Sequence, residues 1–147
     1  MSDCSSARLV LDDFPPARWR YSRTRPPADL ARVLSPNGRH DWYTRWLATR
    51  YVQARVWLAV RHVGTSSVPP PARLQLTYVR PSHRARDTDN WTSGVTKAVI
   101  DGLVKVKVLA GDDAAQLYLE RVRLAVEPGR CYLVVEISAA AELPEAI

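Results

Sequence analysis

The chain has 147 residues, 46% of them hydrophobic, which suits one ordinary domain that buries its core without disulfide or metal staples. Its 21 basic residues outnumber its 15 acidic ones for a formal net charge of +6, and the surplus is mostly arginine, whose planar fork matches phosphate oxygens. A membrane span is excluded because no stretch approaches about 18 uninterrupted apolar residues. A Cys-x-x-Cys zinc or redox site is excluded too, since Cys4 and Cys131 stand alone and read as free thiols. Nucleic acid is the first partner to consider, against the plainer reading that a basic surface keeps a protein soluble. The sequence opens without a basic and apolar leader, so a cytoplasmic protein is expected.

In chain order, Arg8 to Leu11 predicts a first strand, and the Pro- and Arg-rich segment from Phe14 to Pro27 reads as a surface excursion. Residues 1–31 are accordingly expected to be a partly irregular extension. Ser35-Pro36-Asn37-Gly38 signals a turn. From Asp41 to about His62 the residues Tyr43, Leu47, Tyr51, Ala54 and Leu58 recur at three- and four-residue intervals, predicting a long amphipathic helix with Arg45, Thr49 and Gln53 on its other side. On that helix Trp42, Trp46 and Trp57 fit a core or dimer interface better than a base-stacking role. The segment from Gly64 to Pro71 ends it. Leu74, Leu76 and Tyr78 alternate with Arg73, Gln75 and Thr77, the pattern of a half-buried strand, which Pro81 stops. Val95, Val99 and Leu103 fall four apart and predict a second helix over about Asn90 to Val104. Leu117 to Val126 and Cys131 to Ile137, separated by Glu127-Pro128-Gly129-Arg130, predict a hairpin. The β-α-β-α-β-β order implies a single α+β domain with two main helices packed on a mixed sheet.

Chemistry concentrates at the junction between the second strand and the second helix. Asp87 and Asp89 stand two residues apart there, and in extended backbone their side chains would emerge from one face, close enough to share a cation. Their mutual repulsion is relieved by a hard divalent ion, and magnesium in particular takes a few carboxylate oxygens alongside water and substrate phosphate. Helical spacing sets Asn90, Gly94, Lys97 and Asp101 along one stripe, turned toward the acidic pair, where Lys97 can balance charge on a phosphate or orient an attacking water. Asp112-Asp113, in the loop entering the next strand, can close the site with either aspartate as a third ligand. Plainer readings exist for each part: a helix cap for Asp-x-Asp, a surface ion pair for Lys97 and Asp101, and a turn for Gly111-Asp112-Asp113. A calcium loop starting at Asp87 is rejected, because Thr92 occupies its glycine position and Ala98 its bidentate glutamate position.

Taken together, Arg86-Asp87-Thr88-Asp89-Asn90, Lys97-Ala98-Val99-Ile100-Asp101-Gly102-Leu103 and Asp112-Asp113 resemble the RusA-type Holliday junction resolvases, in a phage- or prophage-like form. The likeness spans about Arg84 to Gln116, with a longer spacing before the lysine in which Trp91-Thr92-Ser93-Gly94 forms the extra turn. It implies a homodimer that resolves four-way DNA junctions by paired phosphodiester hydrolysis, in the cytoplasm of a bacterial or phage-infected cell, without a membrane or a nucleotide cofactor. The implied ligands for magnesium, with manganese as substitute, are Asp87, Asp89 and Asp113, or Asp112 in its place, and Lys97 completes the implied catalytic set. Arg84, Arg86, Asn90, Arg45 and Arg50 are candidate DNA contacts. The rivals are a non-catalytic branched-DNA-binding protein on the same fold and a small regulatory or protein-interaction domain.

Overall fold

The computed structural model describes residues 6–36, 38, 40–82 and 88–140, apart from the side chains of 88–91. Its elements are β1 (Ser6–Asp12), α1 (Leu30–Leu34), α2 (Trp42–Val63), β2 (Ala72–Arg80), α3 (Thr88–Lys105), β3 (Leu117–Leu119), β4 (Arg123–Val126) and β5 (Tyr132–Ala139). None of the helices is long and apolar enough to cross a membrane.

The sheet is organised by β2, whose alternation buries Ala72, Leu74, Leu76 and Tyr78 and leaves Arg73, Gln75 and Thr77 half-buried on the opposite face, as the period-two pattern predicts. Antiparallel β5 lies along one edge of β2, from Ala72 opposite Ala139 to Val79 opposite Tyr132. On the far side of β5 runs antiparallel β1. The other edge of β2 takes β3 and then β4, both parallel to it. Parallel neighbours require a crossover, and α3 supplies it. The result is an α+β domain with one mixed, open sheet and helices packed on it.

The expected hairpin does not form. Arg130 N–H donates to the Glu127 carbonyl at 3.2 Å, and Gly129 takes a left-handed φ of 80°, so the tight turn exists. Both edges of β5 are nevertheless filled, by β1 and β2, and the turn carries the chain from one side of β2 to the other. The single strand expected over Leu117 to Val126 is also interrupted. Glu120 N–H reaches the Leu74 carbonyl at 2.9 Å, and across the break the Gln75 side-chain amide donates to the Arg121 carbonyl at 3.0 Å.

Helix α2 has nearly the predicted bounds. Asp41 caps it, its carboxylate accepting from Thr44 N–H at 2.7 Å, and these hydrogen bonds to Thr44 hold the Asp41 carboxyl below its usual range. Gly64 ends it at φ 73°. The buried stripe differs from the expected one: Thr44, Ala48, Val52, Val56 and Val60 face inward, whereas Tyr43 and Leu58 are more than half exposed. Small inward residues let α2 approach α3 closely, since a Cβ at Gly102 would sit 3.3 Å from Cβ of Val56.

The amino-terminal segment is irregular between β1 and α1 and exposed over Arg23 to Pro26, as expected, but it also contributes to the core, which a purely surface excursion would not. Leu9, Leu11 and Phe14 are fully buried or nearly so, and Trp19 is 7% exposed. Paired backbone bonds join Trp19 to Ala28 at 2.7 and 2.8 Å, and the Trp19 ring stacks on Tyr21 at 5.0 Å. From α2, Arg55 donates to the Tyr51 hydroxyl at 2.8 Å and to the Asp12 carbonyl, and it lies 5.6 Å over the Phe14 ring. One guanidinium thus fastens the chain after β1 to the helix layer. The short α1, capped by Asp29, was not anticipated. Cys131 is a free, half-buried thiol whose pKa burial raises; Cys4 lies outside the described residues.

Candidate functional site: a cleft along the crossover helix

A cleft of about 1430 Å³ runs between one face of α3 and the β3–β4 edge. From α3 it is lined by Thr92, Ser93, Thr96, Lys97, Ile100 and Asp101; the strand side contributes Tyr118, Arg121 and Arg123, and Asp112 joins them from the loop. The helix presents this face because Val95, Ala98, Val99 and Leu103 are buried in the core, as the apolar spacing predicts. The register of α3 on β2 is fixed by a bond between the Tyr78 hydroxyl and Thr96 Oγ1 at 2.9 Å. Burial raises the Tyr78 pKa far above that of a free phenol, so this hydroxyl stays protonated.

Lys97 is exposed and Asp101 half-buried, and among the described residues neither is held in an ion pair. Their surface-pair reading is therefore not what the structure displays. Gly94 leaves the stripe assigned to it. It packs toward α1, where a Cβ would fall 1.8 Å from the Leu34 carbonyl oxygen, so glycine is required by contact between two backbones.

Of the acidic residues, Asp112 and Asp113 differ in employment. Asp113 shapes its own turn: a carboxylate oxygen accepts from Ala115 N–H at 2.9 Å, and its carbonyl accepts from Gln116 and Leu117 N–H at 3.0 Å each. Asp112 is exposed and lines the cleft. Asp89 and Asn90 belong to the first turn of α3, which replaces the extended backbone expected at Asp89. Their side chains, and Arg84, Arg86 and Asp87 entirely, lie outside the described residues. Because α3 rises about 1.5 Å per residue, position 89 and the helix's last turn are separated by roughly 24 Å along its axis. Asp112 and Asp113 follow that last turn, near the pairing of Leu117 with Ala72. Among the described residues no three His, Cys, Asp or Glu side chains are grouped to hold a metal ion.

The candidate DNA-contacting arginines of α2 are employed differently as well. Arg45 donates to the Ser35 carbonyl at 3.0 Å, tying α2 to the end of α1, whereas Arg50 is exposed and lies 4.9 Å over the Trp46 ring. Sequence reasoning missed Arg121, Arg123 and the paired threonines of the cleft. Thr92 and Thr96, four apart and next to Lys97, were the available signal for a polar helix face.

No protein-family model matches the chain, and no curated protein matches it.

Proposed function

We propose that the protein is a metal-dependent, structure-selective DNA endonuclease resembling the RusA-type resolvases, acting as a homodimer on four-way junctions. The observation that carries this reading is the shared cleft of Lys97, Asp101 and Asp112, residues drawn from two separate parts of the sequence motif. Arg121 and Arg123 add guanidinium groups, which suit phosphate, to a lining that also holds Glu120. In such a site Lys97 supplies a mobile positive charge to a phosphate drawn into the cleft, and the arginines hold the backbone on either side.

The cofactor proposed is magnesium, or manganese in its place, which would supply Lewis-acid activation of the phosphodiester. Carboxylate oxygens are the donors such a hard cation takes. Among the described residues no three carboxylates are grouped to hold a metal ion, and Asp87 and the side chain of Asp89 lie outside them. The metal requirement thus rests on the sequence motif. Employment of the Asp113 carboxylate in its own turn favours a second reading, a branched-DNA-binding protein without catalytic activity. The two are distinguished by incubating the purified protein with a labelled four-way junction and a matched linear duplex, in magnesium or in chelator. Paired, magnesium-dependent nicks confined to the junction are expected; tight junction binding with no nicks in magnesium or manganese would replace the first reading by the second.

A further inference from the structure

The outer face of α2 is built from aromatic and arginine side chains that serve neither the core nor the cleft. Trp42 is 75% exposed and Tyr43, Trp46 and Trp57 are between 43% and 54% exposed. Tyr43 stacks on Trp46 at 5.9 Å and meets Trp42 edge-on at 6.0 Å. Two tryptophan-arginine pairs repeat along the helix: Arg50 lies 4.9 Å over Trp46, and Arg61 lies 4.9 Å over Trp57. The pairs are eleven residues apart in sequence, almost a whole number of helical turns, so they share a face about 16 Å apart along the axis. No α2 residue lines the cleft.

Charge decides what can cover this face. Across its 22 residues α2 contains no Asp or Glu and four arginines, of which Arg50 and Arg61 belong to this face, Arg45 being engaged by Ser35 and Arg55 by Tyr51 and Asp12. The carboxylate next to it, Asp41, is engaged by Thr44 N–H and feels Arg25 and His40 nearby. A symmetric contact of this helix face with itself would bring Arg50 and Arg61 of two copies together with no acid from α2 to answer them. A polyanion with exposed aromatic faces meets both features at once, because bases stack on indoles and guanidinium planes while phosphates take the positive charge.

We infer that the outer face of α2 binds an unpaired nucleic-acid strand, with Trp46 and Trp57 as stacking platforms and Arg50 and Arg61 as their phosphate-gripping partners. The inference stands apart from the cleft and does not require that the protein cut DNA.

The test is fluorescence anisotropy of a labelled oligothymidine, which has no duplex structure of its own, titrated with the full chain in chelator. The wild type is expected to bind with an affinity that falls as salt rises. The Trp46→Ala/Trp57→Ala double variant is expected to bind at least about tenfold more weakly, and Trp46→Phe/Trp57→Phe to recover most of the loss. Arg130→Ala, which removes a positive charge at the exposed turn before β5, outside both α2 and the cleft, is expected to leave this binding unchanged, and the chelator keeps the result separate from any junction cleavage. Equal affinity of the wild type and the folded alanine variant overturns the inference. Sedimentation of the wild type as a dimer that the phenylalanine variant retains and the alanine variant loses, with strand binding unaltered, overturns it in favour of a second copy as occupant.

Discussion

Tyr78 shows how one buried hydroxyl ties the sheet to the cleft. It is fully buried in β2, yet its oxygen lies 2.9 Å from Thr96 Oγ1 on the helix whose next residue is Lys97. Replacing it with Phe keeps the ring's packing and removes the partner of a threonine that is only 6% exposed. The expected cost is about 1–3 kcal/mol, the range for a buried polar group left unpaired, read as a lower denaturant midpoint with an unchanged slope. Asp112 and Asp113 differ at the same scale. Adjacent in sequence, one lines the cleft and the other caps its own turn. That difference was not legible in the sequence, since two neighbouring aspartates after a glycine carry the same local signal whichever one folds back.

Among the elements, α3 is the best read from sequence and α2 the most instructive failure. The stripe Val95, Val99 and Leu103 was legible because the opposite face is polar, so period and polarity agree. On α2 both faces are apolar, and the bulky residues Tyr43 and Leu58 drew the assignment while the smaller Ala48, Val52 and Val56 pack inward. The reason is distance: helices and sheet approach closely only where side chains are small, and Gly94 and Gly102 on α3 mark the same requirement. Gly94→Ala is therefore expected to push α3 from the end of α1 and destabilise the fold by about 3 kcal/mol, measured by chemical denaturation; a neutral substitution would mean that this contact yields freely. The carboxy-terminal strands were legible as strands, but their partners were not. A Pro-Gly turn is a local signal, whereas the insertion of β2 between β4 and β5 is settled by contacts distant in sequence.

For the molecule as a whole, the basic surplus and the α+β class were legible from composition and element order, and the place of residues 6–31 was not. Their prolines and arginines resemble a loop, yet Leu9, Leu11, Phe14 and Trp19 supply core, and Arg55 holds the segment against α2. The resulting domain carries two surfaces of different chemistry: a polar cleft with Lys97 and Asp112, and an aromatic, acid-free helix face. The central claim is the proposal that acidic residues of the sequence motif serve cutting rather than binding. It is tested most directly by measuring junction affinity and junction cleavage side by side for the wild type and Asp89→Asn in magnesium. The account predicts that the variant loses cleavage to background while its affinity is kept or increased, because one negative charge fewer faces the phosphates. Cleavage that persists in Asp89→Asn, or binding and cleavage that fall together, would contradict it.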